Sequence, residues 1–506
     1  MFHRLSRSAA FLFLSTTLVG LLGIEVQAQF DGSIEPASDL KTGFDAITDE
    51  RAKEWLSVLA GPVFEGRGSG QIGYTKAAHW VAGKTAEFGL EPMGDGGTYF
   101  QMLPMSRLWV EPTQSKLTGP NDLSILFDKA IGLERFTNVA EVSGGVAFVR
   151  LAGDSQKLDP SVSLRDKIVF YTADGKAQGP AAGLIAFQRP AATFRIVDGE
   201  PKSGSQLQRE GGRQRAASLS GTISTAAATT IVQAMNGDPT WIKSLDGEGA
   251  EVHLAEGNVK LDLRYREEPT AIPNVLAWQP GSDPDLRNEY VVIGAHLDHL
   301  GLSNGSLFPG ADDNGSGSTA LLSIARAVTA NPIKPKRSVL FMWFAGEEIG
   351  LVGSAYYVDH PLLPLDKMVC MLNVDMVGRN EEKQGETASE NETSIHLVGS
   401  KQGDQDLHEV IMRANQYVNF AFEYDEEGVF GRSDQANFFK KGTSVAFLFG
   451  GFHPDYHRPT DEVSKINFHK IASAAKLFYL TAHFAADHGA FKVPPKEEKK
   501  DANILP

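Results

Sequence analysis

The sequence predicts an α/β fold: a mixed, mainly parallel sheet sandwiched by helices, with a β-rich domain inserted into the chain. Three observations predict it. The runs 290–295, 338–345, 368–374 and 444–449 are short and continuously apolar, as strands covered on both faces are. The first leads through a glycine-rich loop into the helical stretch 318–328, and from about residue 270 strand, loop and helix keep alternating. Between about 118 and 265 the texture changes: β-rich runs at 145–150, 167–171 and 183–187 alternate with Gly, Ser and Ala-rich segments, and 225–235 supplies one helix.

Taken in order, the chain begins with the parts of a secretory signal peptide. Arg4 and Arg7 precede the apolar run 9–24, and Val26-Gln27-Ala28 follow as a cut site. The run is short for a membrane span of about 20 residues, and Ser15, Thr16 and Thr17 interrupt it. Cleavage after Ala28 leaves a chain starting at Gln29, exported to the periplasm or beyond, with no stable membrane span. Residues 48–90 are helical, with Trp55, Leu56, Val58 and Leu59 and then Ala77, Ala78, Trp80 and Val81 at helix-like spacing. Gly61-Pro62 and the stretch Glu65-Gly66-Arg67-Gly68-Ser69-Gly70 mark a loop between them. The expected division is a signal peptide 1–28, a first segment of the main domain 29–117, an insertion 118–265, a second segment of the main domain 266–490 and a polar tail 491–506 rich in Lys, Glu and Pro.

Composition narrows the class of function. The 506 residues are 42% hydrophobic, 9% aromatic and 22% charged, the proportions of a soluble globular protein with enough apolar material for a sizeable core. A net charge of −15 argues against nucleic acid or an anionic membrane as partner, since phosphate backbones require clustered cations. The single cysteine, Cys370, excludes an intramolecular disulfide and thiolate zinc sites, and within its apolar strand it reads as an inert core residue. Packing or bound metal must then stabilise an exported chain. The oligomeric state is not encoded in any of these features.

Open α/β sheets bind ligands beyond the carboxyl ends of their strands, so the groups standing there carry the chemistry. The first apolar run ends in His296-Leu297-Asp298-His299, and its loop contains Asp312-Asp313-Asn314-Gly315-Ser316-Gly317. The second ends in Glu347-Glu348, the third in Asp375, and the fourth leads to Asp455-Tyr456-His457. One such group alone is an ordinary surface feature. All four strands delivering imidazoles and carboxylates to one edge is the donor inventory of zinc or another divalent first-row metal. Two histidines and three carboxylates are too many for one tetrahedral ion with an open position, but they suit two ions that share a bridging carboxylate. Glu347 then stands unbound, as a general base toward a water that the ions acidify. Asp298, two residues after His296, is placed to orient its imidazole.

As a set, His296-Leu297-Asp298-His299, Ala311 to Gly317, Gly346-Glu347-Glu348, Asn373-Val374-Asp375-Met376 and Tyr456-His457 resemble the signature of exported di-zinc aminopeptidases. That family also contains glutamate carboxypeptidases and a receptor ectodomain. The resemblance covers roughly 45–115 and 265–485 and implies a phosphorylase/hydrolase-like sandwich of about eight strands. It implies that His296 and Asp375 hold one zinc, that Glu348 and His457 hold the other, and that Asp313, directly before Asn314-Gly315-Ser316-Gly317, bridges them. It further implies that Glu347 is the base, that Tyr456 hydrogen-bonds the developing oxyanion, and that Arg432-Ser433-Asp434 lines the site. Leu164-Arg165-Asp166-Lys167-Ile168-Val169 resembles a strand entry of the protease-associated domain that many members carry. The implied activity is removal of N-terminal residues from peptide substrates. Alternatives on the same fold are a carboxypeptidase for acidic C-termini, which needs a cationic pocket, a glutaminyl cyclase with one zinc, and an inactive receptor-like module.

Overall fold

The computed structural model describes residues 30–491 apart from 31, 154–157, 160, 174–177, 210–218, 246–247, 304–305, 383–386, 390 and 490. The expected signal peptide and all but the first residue of the expected tail lie outside the described residues. No helix among the described residues is long and apolar enough to cross a membrane.

A ten-stranded mixed sheet dominates the fold. Its strands run, edge to edge, Ala421–Glu423, Ser394–Val398, Val445–Phe449, Met368–Asp375, Tyr290–His296, Ser338–Phe344, Tyr265–Gln279, Phe100–Val110 and Ser205–Arg209, with Glu91–Pro92 pairing beside Tyr265–Gln279. The four strands foreseen as apolar runs lie side by side and parallel in the middle. Every residue of Tyr290–His296 and Ser338–Phe344 is buried, because side chains alternate between two covered faces. Val291, Ile293 and Ala295 pack with helices Asp49–Leu59, Ile72–Glu87, Gly317–Ala330 and Phe468–Asp487. Tyr290 and Val292 point the other way, toward Tyr357 of helix Val352–Asp359 and Phe438 of helix Gln435–Lys440. The helices start where the sequence offers caps: the Thr48 side chain accepts from the Arg51 amide, and Asn467 accepts from that of Lys470.

A second sheet of eight strands is built from residues 116–262. Its core is aromatic, with Phe148, Phe170 and Phe194 on three neighbouring strands and ring centroids 5.5 and 5.7 Å apart. Helix Thr225–Ala234 packs against it through Ile231 and Val232, close to the expected 225–235. The run 183–187, expected as strand, is instead the end of helix Gln178–Phe187. A five-residue apolar run has no period of its own, and the preceding Ala-rich turn decides for helix. The insertion also adds an edge strand to the large sheet: Ser205–Arg209 pairs antiparallel with Phe100–Val110, Met105 opposite Arg209.

Candidate metal centre

The carboxyl edge of the parallel strands gathers the charged groups. His296 and Asp375 are the last residues of their strands. Beyond Ser338–Phe344 the chain turns at Gly346, whose φ of 66° and contact with the Val352 side chain leave no room for a Cβ, and so aims Glu347 and Glu348 back at the edge. Asp313 sits in the turn Ala311–Ser316 that opens helix Gly317–Ala330. The Asp461 carboxylate fixes this turn by accepting the amides of Asp312 at 3.0 Å and Asp313 at 3.1 Å. His457 follows the strand Val445–Phe449 and takes a left-handed φ of 55°.

These groups converge on Asp313. His296 Nε2 lies 3.2 Å from Asp375 Oδ1 and 3.4 Å from Asp313 Oδ1. On the other oxygen, His457 Nε2 lies 3.0 Å from Asp313 Oδ2 and 3.1 Å from Glu348 Oε2. His299 joins the second group: its Nδ1 is 2.8 Å from Glu348 Oε1 and 3.7 Å from Asp313 Oδ2. The result is two donor groups sharing one carboxylate, His296–Asp313–Asp375 and His299–Asp313–Glu348, with His457 against the latter. A third group of possible donors, Glu381, His396 and Glu423, shares no residue with these two.

Asp298 is fully buried beside His296, although its carboxylate does a different job from the one expected. His296 Nδ1 is 3.1 Å from the backbone oxygen of Asp298 but 3.8 Å from the nearest carboxylate oxygen. That carboxylate accepts instead from the Ser69 hydroxyl at 2.7 Å and from the amides of Glu347 at 3.1 Å and Glu348 at 3.4 Å. It therefore holds the Glu-Glu pair in place. Ser433, in the segment noted before Asp434, donates to Asp375 Oδ2 at 2.8 Å. Ser69 and Asp461 had no signal of their own in the sequence, because each depends on residues at least 148 positions apart meeting.

Electrostatics shows a site that demands positive charge. Burial raises the Asp313 carboxyl, with Glu348 adding to the shift. Burial alone would lower His457, yet Asp313 and Glu348 outweigh it and hold the imidazole at about 10. Burial raises Glu348, but hydrogen bonds from His299 and His457 win and keep this carboxyl below the usual range. Glu347 has no such imidazole partner and burial pushes it well upward. Burial likewise raises Asp298 to about 6 and Asp434 to about 7. Clustered imidazole and carboxylate donors with this excess of anions fit a divalent metal such as zinc.

A cavity of about 350 Å³ opens onto the cluster. His296, Asp313, Glu347 and Asp375 line it, together with the apolar Met376, Val429, Phe447, Phe449 and Phe452. Tyr456 lines it too, its ring stacked on His457 at 3.9 Å and its hydroxyl accepting from Arg432 Nη2 at 3.3 Å. Cys370 is buried away from solvent, where burial raises its thiol and keeps it inert.

Comparison with known proteins bears on the same segment. Residues 274–482 match the family model described as peptidase family M28. Over 295 residues the chain is 28% identical to leucine aminopeptidase 2 of Trichophyton rubrum, covering 51% of this chain and 54% of that one. It is 29% identical over 271 residues to aminopeptidase YwaD of Bacillus subtilis, covering 52% of each. The chain thus spans about half the length of these curated relatives. The solved structure of BSAP, a zinc aminopeptidase from Bacillus subtilis, superposes with a TM-score of 0.50 over 88% of this chain and 96% of that one, at 18% identity, a likeness of fold.

Proposed function

We propose, from the match of residues 274–482 to the peptidase family M28 model, that this chain is an exported di-zinc metallo-exopeptidase removing N-terminal residues from peptides. The observation that carries the reading is the pair of donor groups sharing Asp313, with Glu347 beside them on the cavity wall and in neither group. His296, Asp313 and Asp375 would hold one zinc, and Asp313, Glu348 and His457 the other. Bound zinc supplies Lewis acidity, which acidifies water and offsets charge on a peptide carbonyl oxygen.

The remaining work falls to the chain. Glu347 takes the proton of the attacking water on its carboxylate and passes it to the leaving amine. Asp298 accepts the Glu347 amide and so fixes the backbone that carries the base. In this reading the Tyr456 hydroxyl donates to the oxyanion. The aromatic residues on the cavity wall receive an apolar side chain. The insertion is read as a protease-associated-like domain that gates substrate length; unchanged length selectivity after its deletion from a still-folded enzyme would count against that role. Export belongs to the same reading, and N-terminal sequencing of the exported protein should begin at Gln29.

The test follows products by mass from short peptides, free or N-acetylated, with and without a chelator. Stepwise N-terminal loss, blocked by acetylation and by chelation, supports the reading. Loss from the C-terminus moves it to the carboxypeptidase branch, and activity with one zinc per chain speaks against the paired site.

A further inference from the structure

The cavity holds one group that the chemistry above does not use. Arg432 carries the only guanidinium or ammonium on its lining among the described residues. Its guanidinium is exposed and rests 5.0 Å from the Phe452 ring centroid, with one donation, to Tyr456 Oη at 3.3 Å. It forms no ion pair among the described residues, whereas nearby Arg379 is engaged by Asp455 and Glu382. A guanidinium offers five N–H donors in a planar fork suited to a carboxylate, and most of this fork faces no protein partner.

We propose that Arg432 is the anchor for a substrate carboxylate, so that the cavity selects short peptides bearing a negative charge near the scissile bond. The inference rests on the exopeptidase reading and names its substrate class. Asp313 and Asp375 are given over to the metals and Glu347 to the proton, so Arg432 is the one Arg or Lys side chain on the lining left to meet a carboxylate of the substrate. Ring contact with Phe452 and the Tyr456 bond keep the fork in place, so little order is lost on binding.

The experiment compares matched substrates on the full-length, zinc-loaded protein and on Arg432→Gln. One pair is Leu-Leu and its C-terminal amide; the other is an N-terminal Glu p-nitroanilide and its Gln counterpart. The wild type should favour the acid in one pair by about 10-fold or more in kcat/KM, the size of a charge-assisted contact. In Arg432→Gln that ratio should fall to about one, and Arg432→Lys should restore part of it. The pair that responds tells whether the carboxylate is the C-terminus or a side chain. Losing the bond to Tyr456 slows both members alike and leaves the ratio unchanged, which separates an anchor from a prop. Ratios near one in the wild type, or a ratio that survives Arg432→Gln, overturn the proposal. If no peptide is cleaved, the exopeptidase reading has failed, and calorimetric binding of Leu-Leu and its amide decides the anchor: equal affinities for wild type and Arg432→Gln overturn it.

Discussion

Glu347 and Glu348 are neighbours in sequence with opposite environments. Both oxygens of Glu348 meet imidazoles, His299 on one and His457 on the other, so this carboxyl stays ionised and fit to hold a cation. Glu347 is half-buried with no imidazole hydrogen-bonded to it, and burial pushes its carboxyl well upward, which suits a group that must accept and return a proton. Glu347→Gln should therefore keep its metal, measured by elemental analysis, and lose kcat by on the order of 10³ or more; near-normal turnover would end the assignment as base. His296→Ala removes a donor buried at the shared carboxylate and should bind less zinc and unfold at lower temperature. Full zinc occupancy in that variant contradicts its role as a ligand. The convergence of these groups was legible in the sequence because His296 and Asp375 end apolar strands and Asp313, Glu348 and His457 lie in the loops that follow such strands. The use of Asp298 was not, since its carboxylate turns to the Glu347 and Glu348 amides 49 and 50 positions away rather than to the neighbouring His296.

At the scale of elements, the site depends on how its loops are tied to the strands. Arg67 is fully buried with φ 54°, and its guanidinium donates to Leu59 O at 2.7 Å, Leu297 O at 2.9 Å, Pro309 O at 2.9 Å and Gly310 O at 2.7 Å. One side chain thus joins a helix end, the residue after His296 and the approach to the Asp313 turn. Burial lowers it to about 10, with Asp461 and Asp313 opposing that shift, so it stays charged at neutral pH. Arg67→Leu leaves four carbonyls without this donor and should cost about 3 kcal/mol or more in denaturant unfolding; a loss under about 1 kcal/mol would mean water replaces it. The loop carrying Tyr456 and His457 is tied by Asp455, which meets Arg379, Thr460 and Lys465. Burial raises Asp455, but these partners outweigh it and hold its carboxyl below the usual range. A depressed carboxyl stabilises above its unfolded pKa of about 4 and loses that contribution as pH falls through its folded value. Asp455→Asn should therefore lose stability at neutral pH, and the gap to wild type should narrow as pH drops below about 4. The central strands could be read from sequence because they are apolar throughout. Phe100–Val110 could not, since Pro104 and Arg107 interrupt it and partner strands alone define it, and 183–187 was misread because so short a run carries no period.

For the whole molecule, the question is how far two sheets with separate cores behave as one. The large sheet buries Val291, Leu321 and Phe478 in one core, the second sheet Phe148, Phe170 and Ile231 in another. What joins them is continuous chain: Phe100–Val110 and Tyr265–Gln279 pair along eleven positions, and their far ends, Val110 and Tyr265, already pack with the second core. Ser205–Arg209 adds a return contact, with Arg209 Nη2 3.2 Å from Asp359 Oδ2. Every donor placed at the metal centre belongs to the large sheet or its loops, so a ligand there stabilises that core directly and the other only through this ribbon. If the ribbon is a weak coupler, calorimetry of the full chain should show two transitions. Stripping zinc should lower one of them by on the order of 10 °C, the shift for about 4 kcal/mol of ligand binding energy, and barely move the other. Restoring zinc should reverse the change. A single transition that moves as a whole would instead make the paired strands a rigid strut, and the insertion would then respond to the state of the metal centre across the ribbon.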